Sequence, residues 1–391
     1  MAVYRSIARN YVLRNALLWL VILSIASACK TTQSSDTTTQ SLQALLDQAV
    51  QSDLNPTPGL SLAVYAPDLD LSWTGAAGVS DIKTKETLRA EQTFRVASIT
   101  KTFVATAIWV LHERGALDVN QSIEAYISAA HIDLLKKGGY DPSKILIKHC
   151  LHHSSGLFDY AVGSETYLHL VSSQPDKRWT RTEQLEGAMK WGTTYGEPGE
   201  EYHYSDTGYI LLGEIIERIT TKNLGLSLRQ ILGYEKLGLA ATYLESLDDT
   251  IASSLPQVHR YLGREDATTW DNSIDLYGGG GLVSTSADLA KFYFQVFNGQ
   301  LFLEKETMEG FMMPSRARLP AGITDDYRSG FQVVTIFGEE AYMHGGFWGT
   351  FVLYIPAYNA SIAINLTKDG PYQYLIKEVI TLLNNHAKAA E

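Results

Sequence analysis

The 391-residue sequence predicts an α+β fold, an α/β sandwich whose antiparallel sheet is built from both termini, flanked by helices and interrupted by a large, mostly helical insertion. Two strand-like runs near the start, three more near the end and 3.6-residue periodicity between them carry this expectation. Taken in order, Leu42, Leu45, Leu46 and Val50 follow helical spacing. "GLSLAVYAP" and "LDLSWTGAAGV" then read as two strands joined by a turn at Pro67-Asp68. "TFVATAIWVLHERG" is a helix that stops at Gly115, and "TGYILLGEIIERIT" repeats apolar residues at three and four. "EEAYMHGG", "GTFVLYIP" and "ASIAINL" form a three-strand meander broken by glycine and by Pro-Ala-Tyr-Asn, and a last amphipathic helix holds Leu375, Val379, Ile380 and Leu383. There is no internal repeat.

Composition narrows the function classes. Apolar residues at 45% and charged ones at 19% describe a globular chain, long enough for one large domain or two ordinary ones. The formal net charge is −11. The first 28 residues carry Arg5, Arg9 and Arg14 and no acid, which leaves 29 basic against 43 acidic residues in the rest, −14. An acidic surface of that size argues against nucleic acid or an anionic membrane as the main partner.

Those first residues have the order of an export signal. Three arginines lead into "ALLWLVILSIASAC", an apolar stretch short for a membrane span and ending in small residues. Ala26-Ser27-Ala28-Cys29 resembles the lipobox of bacterial lipoproteins, with Ala26 where leucine is usual, so the reading is a signal peptide over 1–28 and lipidation at Cys29. Ordinary cleavage near Ala28 is the alternative. The polar "KTTQSSDTTTQ" that follows suits a tether, giving 29–41 as tether and 42–387 as the folded domain. Only Cys150 remains in that domain, so it has no internal disulfide.

The chemistry begins at "RVASITKTF", where Ser98 precedes Lys101 by three residues at the start of an apolar helix. That spacing puts the amine on the same helix face as the hydroxyl, next to unpaired backbone N–H groups. A serine hydroxyl needs such help to attack at neutral pH. Ser27 to Lys30 and Ser80 to Lys83 fit the same spacing, but the first lies in the signal and the second in a polar turn. Tyr204-Ser205-Asp206 immediately precedes a helix, where Ser205 or Asp206 would serve as N-cap. His344-Gly345-Gly346 falls on a strand, its glycines allowing close approach to a ligand.

In this order the three motifs resemble those of the serine β-lactamase and D-Ala-D-Ala carboxypeptidase superfamily, in particular the branch with class C β-lactamases, D-aminopeptidases and related esterases. "PGLSLAVYAP", "HCLHHSSGL", "GGGLVSTSADLAKF" and "HGGFWGTF" extend the resemblance over residues 42 to 387. It implies that Ser98 is acylated, that Lys101 and Tyr204 move protons, and that the backbone N–H groups of Ser98 and Phe347 form an oxyanion hole. Asp206, His344, Gly345 and Gly346 would contact substrate, His344 where relatives place a carboxylate-holding lysine. The departure is Asp206, an asparagine in the family's motif; its carboxylate beside Lys101 would hold the ammonium and oppose its use as a base.

The implied activity is hydrolysis of an ester, a D-amino-acid peptide or amide, or a β-lactam, at the periplasmic face of a bacterial membrane. Lys30 after Cys29 points to an outer-membrane lipid anchor; without lipidation the protein would be secreted. The substrate would be a small molecule or peptide, and a peptidoglycan-derived one if the chain acts as the cell-wall enzymes of that superfamily do. The alternative is an idle lipoprotein that binds peptidoglycan or peptide in the same cleft. No cofactor is invoked: His149, Cys150, His152 and His153 suggest zinc by composition, but no H-E-x-x-H accompanies them. The glycines at 278 to 281 lack the Lys-Ser/Thr of a phosphate loop and read as close backbone packing.

Overall fold

A computed structural model describes residues 37–52, 57–248, 255–320, 326–370 and 372–390; the signal segment, Cys29 and the tether through residue 36 lie outside them. Helix α1 spans 37–51, so residues 37–41, expected in the tether, are folded. Thr38 is buried, with its Oγ1 2.9 Å from His386 Nδ1 on the last helix, α5 (Tyr372–Ala390). The polar stretch 37–41 continues the helix of Leu42, Leu45 and Leu46, and the contact of Thr38 ties it to α5.

The main sheet takes β1 (Gly59–Ala66) and β2 (Leu71–Gly78) from the start of the chain. From the end come β3 (Asp326–Tyr327), β4 (Gln332–Ile336), β5 (Glu339–Gly346), β6 (Thr350–Ile355) and β7 (Ala360–Leu366). The strand order is β2-β1-β7-β6-β5-β4-β3, with every neighbouring pair antiparallel. β1 is therefore joined to β7, Leu60 opposite Leu366 and Ala63 opposite Ala363, which closes the sheet from the two termini as the sequence predicts. The expected three-strand meander is extended by β4 and β3. β4 is only half-buried and β3 is two residues long, so neither shows a strong apolar alternation.

Alternation along the strands sorts side chains onto two faces. Leu60, Leu62, Val64, Leu353, Ile355, Ile362 and Ile364 face a core completed by Leu42, Leu45 and Leu46 of α1 and Leu375, Val379 and Leu383 of α5. The opposite face presents Ala63, Val352 and Ala363, and it packs the helices of the insertion. The small residues there let α4 (Ser286–Phe297) approach closely enough for Ser286 Oγ to reach Ser61 Oγ, 2.9 Å away. Helix α2 (Thr100–Glu113) is buried from Thr100 to Leu111, its polar Thr100, Lys101, Thr102 and Thr106 included. Helix α3 (Asp206–Thr220) packs against it. The site forms where the N-termini of α2 and α3 meet the end of β5.

Candidate active site

The turn before α2 is held by long-range backbone contacts. Val96 N–H donates to Leu282 O at 2.9 Å and Leu282 N–H to Thr100 Oγ1 at 3.2 Å. Thr350 Oγ1, at the start of β6, donates to Val96 O at 3.1 Å. Between these anchors Ala97 has φ +46°, a left-handed conformation that a non-glycine residue adopts only when its surroundings impose it. A single 3₁₀ turn, Ala97–Ile99, then carries Ser98 into the first turn of α2.

Ser98 Oγ sits between two polar groups, with Lys101 Nζ at 2.8 Å and Tyr204 Oη at 2.9 Å. Lys101 is fully buried. Its remaining partners are Asp206 Oδ1 at 2.5 Å and the carbonyl of Gly279 at 2.7 Å, so three acceptors match three ammonium protons. The carboxylate of Asp206 is therefore on the lysine. Neither Ser205 nor Asp206 caps α3 with its side chain, contrary to the capping role their position suggests. Asp159 replaces them: its carboxyl accepts from the backbone N–H of Asp206 at 3.1 Å, Ala161 at 3.0 Å and Val162 at 3.1 Å. Burial, and then the charge of Asp206, raise the Asp159 pKa.

Tyr204 is held well above the ordinary tyrosine range by burial, then by the nearby charges of Asp206 and Asp159. It is a phenol, a hydrogen-bond donor, at neutral pH. Its ring rests on His153, centroid to centroid 4.1 Å. His153 has φ +51° and its Nδ1 accepts from Ser205 N–H at 3.1 Å, which leaves Nδ1 without a proton; burial holds the ring neutral.

The glycine run explains itself against this cluster. A Cβ on Gly279 would stand 2.5 Å from Asp206 Oδ1, and one on Gly280 would stand 2.5 Å from Asp275 Oδ2. Only a bare backbone passes between the two carboxylates and still presents its carbonyl to Lys101.

Other expected residues divide. Phe347 and Ser98 line the same cleft, and Gly346 packs so tightly that a Cβ would lie 2.3 Å from Val96 O. His344 does not reach the cleft wall. It is 4% exposed, its Nδ1 donates to Gly345 O at 2.8 Å, and its Nε2 accepts from Tyr327 Oη at 3.1 Å. Burial, then the charge of Lys101, push its pKa down to about 3. Tyr327 lies between His344 and solvent, its Oη on the imidazole. Ser80 lies in a turn with its Oγ on Glu86 O, and Lys83 points instead toward Asp266. Among the described residues no three His, Cys, Asp or Glu side chains converge as a metal site. His149 Nδ1 accepts from Leu146 N–H while Cys150 is buried elsewhere. Gly279, Asp159 and Asp275 are the site residues that sequence reasoning missed; the glycine run at 278–281 was the available signal for two of them.

A family model described as Beta-lactamase matches residues 46–382. Among curated proteins, an N-acetylmuramyl-L-alanine amidase of Bacillus subtilis (strain 168) is 27% identical over 317 residues, 72% of this chain and 69% of that protein. A penicillin-binding protein of the same organism is 28% identical over 150 residues, 38% of this chain; the match spans only 30% of that protein's length. Among solved structures, a D-stereospecific amidohydrolase from Streptomyces sp. superposes with a TM-score of 0.71 at 25% identity, covering 87% of this chain and 97% of that one.

Proposed function

The chain belongs to the β-lactamase family and is a serine hydrolase, and on that premise we propose that it cleaves amides or esters of amino acids, D-amino acids included, through an acyl-enzyme on Ser98. The observation that carries the reading is Ser98 Oγ held between Lys101 Nζ and Tyr204 Oη. Attack by Oγ on the carbonyl carbon forms the new C–O bond, and the Oγ proton passes to Lys101 when Nζ is free to take it. The backbone N–H groups of Ser98 and Phe347 receive the developing oxyanion. Tyr204, a phenol, protonates the leaving amine or alkoxide as its bond to carbon breaks. Water then attacks the acyl group, its proton passing to the Tyr204 phenolate, and Ser98 recovers its proton from Lys101 as the acid leaves.

A β-lactam fits less well than an amino-acid amide. Penicillin-like substrates bring a carboxylate, and the residue expected to hold one, His344, is neutral and covered by Tyr327. The similarity to an amidohydrolase described as D-stereospecific supports the amide. The test is a panel of D- and L-phenylalanine amide, a p-nitrophenyl ester and a cephalosporin. The D-amide and the ester should turn over, the cephalosporin least of all. A cephalosporin turned over fastest, or no turnover of any member, would overturn the reading; the latter would leave a peptide- or peptidoglycan-binding protein.

Export with a lipid on Cys29 is part of the same proposal, resting on the basic, apolar and small-residue order of 1–28. Mass spectrometry of the membrane fraction should find a diacylated or triacylated Cys29 at the new N-terminus. An unmodified Cys29 in a soluble mature chain would contradict it.

A further inference from the structure

We propose that the substrate carries a free ammonium group and that Asp275 receives it, so that Asp275 sets the choice of substrate at this site. The proposal rests on the reading that the cleft beside Ser98 is the active site, and it adds the charge of what enters.

Asp275 follows a short 3₁₀ turn, Asn272–Ile274, and precedes the glycine run. It lines the cleft with Ser98 and is partly exposed there. Its Oδ2 accepts one hydrogen bond, from Trp348 Nε1 at 3.1 Å. The cations whose fields reach it are committed elsewhere, Arg95 to Glu245 at 2.9 Å and Lys101 to Asp206. Among the described residues it has no ion-pair partner. A carboxylate without a counter-ion, partly exposed in this cleft, leaves a bound cation to supply one, and the cleft it shares with Ser98 is where a ligand would bring it.

Burial, with the charge of Asp206 adding and that of Arg95 opposing, raises the Asp275 pKa to about 6. A bound cation would favour its ionised form. Trp270, Trp348 and Phe347 stand in the same cleft, and aromatic faces suit an ammonium. Val162 and Leu168 offer an apolar wall for the rest of the molecule. Together they describe an amino acid with a free amine and a large apolar side chain, its carbonyl delivered to Ser98. A substrate carboxylate on this side would meet Asp275 as a like charge.

The competing explanation is structural, with Asp275 only orienting Trp348. Asp275→Asn separates the two, because asparagine still accepts from the indole N–H but carries no charge. The probes are D-phenylalanine p-nitroanilide, its N-acetyl derivative and p-nitrophenyl butyrate, the last reporting whether the Ser98 site works at all. The wild type should prefer the free amine over the acetylated substrate, and the ratio of the two kcat/KM values should fall about 10- to 100-fold in Asp275→Asn, the range for a lost hydrogen bond to a charged group. Equal use of both anilides by the wild type, or an unchanged ratio in the variant, would overturn the proposal while leaving the Ser98 reading intact. Loss of butyrate hydrolysis in the wild type would instead mean that the parent reading had failed. A measurement on the wild type alone guards against a misfolded variant. 2-Phenylethylamine should inhibit butyrate hydrolysis more strongly than 2-phenylethanol, and equal inhibition would contradict an ammonium subsite.

Discussion

Lys101 is fully buried with all three of its ammonium protons accepted, by Ser98, Asp206 and Gly279. The arrangement fixes the amine beside Ser98 and surrounds it with acceptors, one of them the carboxylate of Asp206. Asp206→Asn tests this. With the negative charge gone and an oxygen still within reach, the ammonium is held less firmly. The pH profile of kcat/KM on a p-nitrophenyl ester should then differ from that of the wild type. A profile that does not move would show that the proton leaves by a route Asp206 does not influence. Lys101→Ala and Tyr204→Phe should each cost about 10²- to 10⁴-fold in kcat/KM, as general acid–base groups do. Ser98, Lys101 and Tyr204 were legible because each belongs to a short motif whose spacing has a local geometric meaning. Asp159 and Asp275 were not, since the groups they hold lie far off in sequence. They act across 47 and 73 residues, on Asp206 and Trp348.

At the scale of elements, the sheet reads well wherever one strand must bury one face. β1, β6 and β7 are buried along almost their whole length, while β4, only partly buried, and β3, two residues long at the sheet edge, escape notice. What no pattern reveals is how closely two elements pass. Gly346 ends β5 where a side chain would meet both Val96 O at 2.3 Å and Thr350 Oγ1 at 2.2 Å, and Val96 begins the turn that carries Ser98. Gly346→Ala must therefore push the β5 end and the Ser98 turn apart. We expect activity to fall about 100-fold, the effect of a misplacement of order 1 Å, with a stability loss of only about 1–3 kcal/mol from overpacking. Full activity in a folded Gly346→Ala protein would mean that β5 and Ser98 need not be held in this register.

The whole molecule carries a pH signature from groups buried in the wrong charge state. Burial holds His149 and His152 at about 4 and His344 at about 3, with His153 well below the ordinary value of 6.5. For each, the unfolded chain binds a proton that the folded one refuses, so stability is present above about pH 6.5 and is lost as pH falls through the window down to the folded values. Asp159, Asp275 and Asp288 oppose this, since their raised pKa values let the folded state take up protons first. Among the described residues these four histidines outnumber the three raised carboxyls, so the melting temperature should fall between pH 6.5 and 4. A melting temperature flat across that range would show that these histidines are solvated or charged in solution. The same scale shows the limit of composition: residues 37–41 are polar enough to resemble a tether, yet they continue the helix of Leu42, Leu45 and Leu46, and Thr38 meets His386 almost the full chain length away.

The central claim is that Ser98, and no other serine, becomes acylated. Intact-mass measurement after treatment with a fluorophosphonate, followed by peptide mapping, tests it directly. One adduct is expected, located on Ser98, absent from Ser98→Ala and much slower to form in Lys101→Ala. An adduct that persists in Ser98→Ala, or that maps to Ser80, would contradict it.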